Sequence, residues 1–331
     1  MSVSGKKARL MRSGAARIIV LAAVTMIALF GCGGREDGRA VHEGRKLKVV
    51  ASLFPMYDFA RAIGGDYVEV SLLLPPGVEP HSFEPRPADM VLLDRADIFI
   101  FTNRYMEPWA EGLLKGTGSG RLLIVDAGRG VDFLRQAGED QGHEGERTHR
   151  HGTGQRPDPH IWLDFGNAQK MVTVISEALI SRDPGHRDIY TKNAEEYRSR
   201  LQMLDSTYRQ TLSGCRKKTM VDGGHATFGY LAARYGLNYR AAYGLSPEAE
   251  PTARDLARIS TLLRQEGLTH LFHEELLSPR IAETIAHETG ASLLRLHGAH
   301  NISREELKAG TTFLDLMEEN LDQLIIGLQC R

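Results

Sequence analysis

Predicted strands and predicted helices alternate along most of this chain, and that alternation limits the fold more than any other feature of the sequence. Short apolar strand segments are separated by stretches of helical periodicity in both halves. The predicted strands are residues 47–52, 67–74, 98–102 and 121–126 in the first half and 219–221, 239–243, 271–272 and 292–296 in the second. Strands that alternate with helices favour a parallel sheet covered on both faces. The sequence therefore predicts an α/β fold with two similar halves.

A long amphipathic helix is predicted between the two halves, from about residue 187 to residue 212. Its apolar side chains fall near one stripe, formed by Tyr190, Ala194, Tyr197, Leu201, Leu204 and Tyr208. At 1.5 Å per residue, such a helix is roughly 40 Å long, which is enough to cross from one lobe to another. We therefore expect a first lobe at 47–183, an interlobe helix at 184–213 and a second lobe at 214–331 that ends in a helix at 305–328.

The N-terminal segment has the character of an export signal. Five basic residues and no acidic residue accompany an apolar run of 13 residues at 18–30, which is too short to span a bilayer as a helix. The segment Leu29-Phe30-Gly31-Cys32 resembles the lipobox of bacterial lipoproteins. We expect residues 1–31 to be a lipoprotein-type signal peptide, Cys32 to be acylated and 32–46 to be a flexible tether.

The alternative for the N-terminus is ordinary cleavage nearby that leaves Cys32 unmodified. In both cases the folded part is exported. We expect it in the periplasm or on the outer side of the cytoplasmic membrane, where only the lipid anchor contacts the bilayer.

The charge of the exported chain argues against nucleic acid as a partner. Removal of residues 1–31 takes away five basic and no acidic residues, so 36 basic and 42 acidic residues remain and the net charge is −6. Nucleic-acid-binding domains are usually basic.

Two further cysteines, Cys215 and Cys330, lie in the second half of the chain. Export places them where oxidation is permitted, so they either form one disulfide or remain as two thiols. Their separation in sequence does not decide between the two.

Three histidines follow predicted strands or precede predicted helices, at His81, His160 and His225. Neutral imidazole nitrogens suit a borderline ion such as zinc, and ligands this far apart in sequence meet only through folding. In open α/β sheets, ligands bind beyond the carboxyl ends of the strands, and His297 also follows a predicted strand there. We therefore expect these histidines to face one crevice between the lobes.

Several motifs resemble one family, the zinc- and manganese-type substrate-binding proteins of ABC importers, also called the cluster A-I metal-binding lipoproteins. The motifs are PPGVEPH ending at His81, DPHIWLD around His160, and HATFGYL from His225, which leads into Arg234-Tyr235-Gly236-Leu237. The resemblance covers residues 47–328 and is closest to the zinc-binding branch. It implies two lobes, each with a four-stranded, mainly parallel sheet flanked by helices, joined by one long helix with the metal between them.

The resemblance also implies a ligand set. The three histidine ligands of the family fall on His81, His160 and His225, and the fourth position, after the last strand, falls on His297. Water, a carboxylate such as Glu79 or Glu274, or His300 three residues further on are alternatives for that fourth position. Glu274 is expected more as an acceptor that orients a ligating imidazole than as a ligand.

Ligand chemistry favours Zn²⁺ as the transported ion. Three or four imidazoles suit tetrahedral zinc, whereas manganese prefers more carboxylate oxygen, and manganese-type family members usually present two histidines and two carboxylates. Nickel and copper also bind such nitrogens. We therefore expect a high-affinity zinc-binding protein, a monomer, that delivers the ion to a membrane permease with its ATPase; a manganese or other divalent-metal importer component is the alternative.

The polar segment 141–156 contains His143, His149 and His151. It resembles the histidine-rich loops of zinc-type family members, which suggests weak capture of zinc before transfer. The alternative is a solvated excursion whose histidines do little.

Two other functions compete with import. An anchored adhesin or metal buffer would use the same fold. A zinc hydrolase would use a three-histidine site with an open position, but the chain has no HExxH motif, because Leu277 stands where the second histidine should follow His273-Glu274, and no GxSxG motif. We therefore expect no enzymatic activity.

Overall fold

The computed structural model describes residues 45–110, 112, 121–136, 156–245 and 251–331. Residues 1–44, which include the expected signal peptide and Cys32, lie outside the described residues, and so does the histidine-rich loop with His143, His149 and His151.

The first lobe is built on a parallel four-stranded sheet in which the first strand lies between the second and the third, and the fourth pairs with the third. All four residues of the third strand are buried, as expected for a parallel sheet with both faces covered. Its elements are β1 (Leu47–Ala51), α1 (Phe54–Gly64), β2 (Val68–Leu72), α2 (Pro87–Asp94), β3 (Ile98–Phe101) and β4 (Leu123–Asp126).

The middle of the chain leads from the first lobe to the second. A short antiparallel pair is followed by a 3₁₀ helix at Ile161–Leu163 and then by two helices. The elements are β5 (Arg135–Gln136), β6 (Arg156–Pro157), α3 (Phe165–Arg182) and α4 (Arg187–Ser213).

The second lobe repeats the first, with a parallel four-stranded sheet in which its own first strand lies between its second and third, and its fourth pairs with its third. Its elements are β7 (Thr219–Asp222), α5 (Gly229–Tyr235), β8 (Asn238–Ala241), α6 (Ala253–Gln265), β9 (His270–Glu274), α7 (Arg280–Thr289), β10 (Ser292–Leu296), α8 (Arg304–Ala309) and α9 (Phe313–Gly327). The predicted α/β architecture of two four-stranded sheets joined by a long helix is confirmed.

The interlobe helix α4 buries the stripe of apolar residues that its sequence predicts, together with Leu212. It contacts both lobes through tyrosine hydroxyls. Tyr197 donates to Asp58 Oδ2 on α1 at 2.8 Å, and Tyr208 donates to the carbonyl of Met317 on α9. Because buried hydroxyls need partners, these contacts fix how α4 packs against each lobe.

The C-terminal helix expected at 305–328 is wrong in one respect, because two helices occupy this segment. The first of them, α8, ends before Gly310, whose φ of +78° is the left-handed conformation that glycine adopts without steric cost. Thr312 then begins α9 with a capping box to Asp315.

Cys215 and Cys330 form a disulfide that joins the end of α4 to the residue next to the C-terminus. The sequence left this pairing open. Among the described residues, no helix combines the length and the apolar character needed to cross a membrane.

Candidate metal centre

The structure brings His81, His160 and His225 together. His160 Nε2 lies 3.3 Å from His81 Nε2 and 3.2 Å from His225 Nε2. Tetrahedral zinc with Zn–N bonds of about 2.0–2.1 Å would separate its nitrogen ligands by about 3.3–3.4 Å. The three imidazoles therefore have nearly the spacing that one tetrahedral ion requires.

His160 is oriented by the residue two positions before it. Its Nδ1 lies 2.8 Å from Asp158 Oδ1, and because a carboxylate only accepts hydrogen bonds, Nδ1 is the donor and Nε2 keeps its lone pair for an ion. The backbone of this turn is also fixed: Tyr230 donates to the carbonyl of Asp158, and Asn103 donates to that of Pro159. The sequence motifs did not lead us to expect this role for Asp158, although its position in the DPH motif, two residues before His160, could have indicated it.

His225 is oriented by Glu274 at the end of β9. Glu274 Oε1 accepts from both the backbone N–H and Nδ1 of His225 at 2.8 Å, and Thr227 donates to the other carboxylate oxygen at 3.0 Å. The turn before His225 requires glycine, since a Cβ at Gly223 would lie 2.7 Å from the Cβ of Ala282. Glu274 therefore accepts hydrogen bonds from both the backbone and the ring of His225.

His81 is held through its backbone by a turn. Glu79 accepts from the backbone N–H of His81 at 3.0 Å and from that of Ser82 at 2.9 Å. Both oxygens of Glu79 are therefore used within its own turn. Within the described ranges, Glu79 belongs to no cluster with metal-ligand spacing.

Burial keeps the three imidazoles neutral. It lowers the pKa of His81 to about 4, with a further decrease because a proton on His81 would be repelled by one on His225, and it lowers the pKa of His225 to about 4. Burial and the neighbouring histidines hold the pKa of His160 well below its usual value. An imidazole must be neutral to bind a metal, so all three have the required protonation state at pH 7.

The expectation that His297 supplies the fourth ligand is not supported by the geometry. His297 Nδ1 lies 3.2 Å from Glu275 Oε1 and its Nε2 lies 3.8 Å from Glu306 Oε2, whereas His300 Nδ1 lies 4.0 Å from the same oxygen of Glu275. Although burial lowers the pKa of His297, these two carboxylates outweigh it and raise that pKa. Among the residues described, His297 is in no metal-ligand cluster. Its backbone is held in place by Asn320, 23 residues away.

His300 lies against the three histidines instead. Its ring centroid is 6.4 Å from that of His81, 6.2 Å from that of His160 and 5.9 Å from that of His225. It stacks on Trp162 with an interplanar angle of 27°, and burial holds its pKa well below the usual value. His300 also forms a cluster of potential ligand atoms with His225 and Glu274.

Comparison with known proteins gives one family. The family model described as "Zinc-uptake complex component A periplasmic" matches residues 49–326. The high-affinity zinc uptake system protein ZnuA of Bacillus subtilis is 36% identical over 308 residues, which cover 93% of this chain and 95% of that protein. The zinc-binding lipoprotein AdcA of Streptococcus pneumoniae is 32% identical over 92% of this chain, and the match spans 60% of that longer protein.

Solved structures with the same fold support this match. The metal-dependent lipoprotein YcdH of Bacillus subtilis has a TM-score of 0.72 at 36% identity, covering 86% of this chain and 100% of that chain. The Zn(II)-bound ZnuA-like domain of Streptococcus pneumoniae AdcA has a TM-score of 0.71 at 32% identity, covering 86% and 99%. The laminin-binding protein of Streptococcus agalactiae, described as bifunctional with adhesin and metal-transporting activity, has a TM-score of 0.75 at 29% identity, covering 86% and 100%.

Proposed function

The chain belongs to the family of periplasmic A components of zinc-uptake complexes, and on that basis we propose that it binds zinc between its lobes and delivers the ion to a membrane importer. Family members are binding components and not enzymes, so zinc is cargo here and not a catalyst. The observation that carries the proposal is the convergence of three neutral imidazoles from distant parts of the chain, with neighbouring Nε2 atoms 3.2–3.3 Å apart.

The ligands in this proposal are His81, His160 and His225, with His300 as the fourth. His300 replaces His297 because it is buried next to the other three rings, whereas His297 is engaged by Glu275 and Glu306. An all-imidazole set favours zinc over manganese, which prefers carboxylate oxygen. Asp158 and Glu274 are proposed to orient His160 and His225 from behind, as carboxylates often do in zinc sites.

The proposed partners are an ABC permease and its ATPase, which would receive the ion from a monomeric binding protein. Acylation of Cys32 is the proposed anchor, with residues 32–46 as the tether. The family's periplasmic assignment supports a position outside the cytoplasm. The similarity of this chain to the zinc-binding lipoprotein AdcA supports the proposal that a lipid is attached to Cys32.

A metal titration of the mature chain tests the binding step. After removal of bound metal by a chelator, we expect one zinc ion to bind per chain, and manganese to bind far more weakly. His160→Ala or His225→Ala should weaken zinc binding by more than about 100-fold, beyond what the loss of an outer-shell partner costs. His287→Ala is the matched control, because His287 is exposed on α7. Equal affinity in all these variants would contradict the site assignment.

Growth at low zinc separates import from the second candidate function, an adhesin or metal buffer. That candidate is favoured by the similarity to the bifunctional laminin-binding protein. Import requires that a deletion strain grows poorly when zinc is scarce and recovers with the wild-type gene but not with His160→Ala. Normal growth of the deletion strain at low zinc, together with loss of surface adhesion, would favour the adhesin.

A further inference from the structure

The loop between β10 and α8 connects the second lobe to the first by hydrogen bonds. Three of its carbonyls accept from the first lobe: that of Gly298 from Trp162 Nε1 at 2.9 Å, that of His300 from the N–H of Phe54 at 3.3 Å, and that of Ile302 from the N–H of Gly77 at 2.9 Å. We call residues 298–302 the clasp. Buried backbone groups are almost always paired, so these bonds determine where the clasp lies.

Asn301 is the residue of the clasp whose side chain donates two hydrogen bonds to the first lobe. Its side chain is fully buried, and Nδ2 donates to the carbonyls of Pro75 at 2.8 Å and Val78 at 2.6 Å. Its Oδ1 accepts from the N–H of Ile302 at 2.8 Å. Both donors of one amide are thus used on the two ends of a single turn in the other lobe.

That turn leads directly to His81. The N–H of Val78 donates to the carbonyl of Pro75 at 3.1 Å, and Gly77 has a φ of +81°, so residues 75–78 form a tight turn. Glu79 then caps the backbone of His81. The position of the His81 ring therefore depends on a turn whose carbonyls are held from the second lobe.

His81 depends on this turn more than the other two histidines depend on their loops. The rings of His160 and His225 are oriented by Asp158 and Glu274, respectively. Within the part of the chain that the structure describes, no carboxylate bonds the ring of His81, whose ring nitrogen contact is to His160. Its position therefore depends on its backbone and on its contacts with the other rings.

We propose that Asn301 is a positioning residue for His81, and that the clasp makes zinc affinity depend on contact between the lobes. The inference rests on the proposed zinc site. While Asn301 bonds the 75–78 turn, the His81 imidazole stays close enough to those of His160 and His225 to share one ion. When the clasp leaves the first lobe, His81 withdraws, the ion loses one ligand and dissociation becomes faster.

The first test compares Asn301→Ala with Asn320→Ala. Asn320 is the matched control, because it is also a buried amide that bonds twice to this loop, but it binds the backbone of His297 from within the second lobe. We expect Asn301→Ala to raise the zinc dissociation constant about tenfold, mainly through faster dissociation into an excess of chelator. Asn320→Ala should change it much less at a similar loss of melting temperature.

A double-mutant comparison shows whether Asn301 acts through His81. In a His81→Ala background, Asn301→Ala should have almost no further effect on zinc affinity, because the ligand it positions is gone. Asn301→Ser, which keeps one donor, should show an intermediate effect and replaces the alanine variant if that variant does not fold. An equal loss of affinity with and without His81 would overturn the proposal.

Hydrogen exchange of the metal-free protein tests the clasp without zinc. Asn301→Ala should accelerate exchange of the amides at 76–82, and Asn320→Ala should not. Unchanged exchange at 76–82 in Asn301→Ala would refute the clasp. If the wild-type protein bound no zinc while exchange still responded to Asn301, the proposed function would fail and the structural role of Asn301 would remain.

Discussion

At the scale of single residues, three features mark the proposed ligands: burial, a lowered pKa and, for two of the four, a carboxylate behind the ring. His160 and His225 meet all three conditions through Asp158 and Glu274. His300 is buried and neutral, whereas His297 is buried but engaged by two carboxylates. Burial alone therefore does not identify a ligand, because carboxylates near the ring nitrogens raise the pKa of the buried His297.

Substitution of the two candidate fourth ligands should separate them. His300→Ala is expected to weaken zinc binding at least about tenfold and to alter the visible spectrum of the Co²⁺-loaded protein, because an imidazole leaves the coordination sphere. His297→Ala should leave that spectrum unchanged, since His297 contacts Glu275 and Glu306. A spectral change only in His297→Ala would restore the original expectation for the fourth ligand.

Zinc binding should persist to lower pH than ordinary histidines allow. Protons and zinc compete for the same nitrogens, and an imidazole binds a proton only as the pH falls toward its pKa. Three histidines with an ordinary pKa of about 6.5 would lose roughly 1,000-fold in affinity at pH 5.5. Because burial lowers the pKa of His81 and His225 to about 4, we expect a loss below about tenfold at that pH.

Competition titrations against a chelator at pH 7.5, 5.5 and 4.5 measure this dependence. The affinity should change little between pH 7.5 and 5.5 and fall only about twofold by pH 4.5, because the pKa of about 4 for His81 and His225 lies below all three values. A steep fall already above pH 6 would mean that the histidines are more solvated than their burial in the structure indicates.

At the scale of elements, α4 and α9 are connected covalently as well as by packing. The disulfide joins Cys215, just after α4, to Cys330, just after α9, across a sequence separation of 115 residues. Closing a loop of that length restricts the unfolded chain, and the loop-entropy model gives roughly 4–5 kcal/mol of stabilisation. The metal centre lies at other loops, so the stabilisation should act on the fold and not on the site.

Replacement of both cysteines by serine tests that separation. The double variant should unfold at a clearly lower temperature, and its zinc affinity at 25 °C should stay within about threefold of the wild type. The wild type in a strong reductant should behave in the same way. A large loss of zinc affinity in the folded double variant would show that the disulfide also shapes the centre.

At the scale of the whole molecule, zinc binding should stabilise both lobes together. Ligands of the centre come from both lobes in our proposal, so unfolding of either lobe would release the ion. At a free zinc concentration 1,000 times the dissociation constant, mass action adds about 4 kcal/mol to the free energy of unfolding. For a chain of this size, that is a rise in melting temperature on the order of 10 °C.

Calorimetry with zinc, with manganese and without metal checks this prediction. Zinc should shift a single transition upward, manganese should shift it little at the same concentration, and His160→Ala should abolish the zinc shift. Two transitions, of which only one responds to zinc, would argue that one lobe holds the ion by itself.

The α/β class, the two sheets, the long helix and the three histidines that meet could all be predicted from the sequence, because each depends on local periodicity or on a short motif. The placement of His300 beside the three histidines and the pairing of the two cysteines depend on tertiary structure. Asn320 on α9 bonds the backbone of His297, and Ala299, with a φ of +55°, lies between His297 and His300, whose ring lies near those of the other three histidines. A turn of this kind, and the meeting of Cys215 with Cys330, depend on contacts between residues far apart in the chain, which spacing along the sequence does not record.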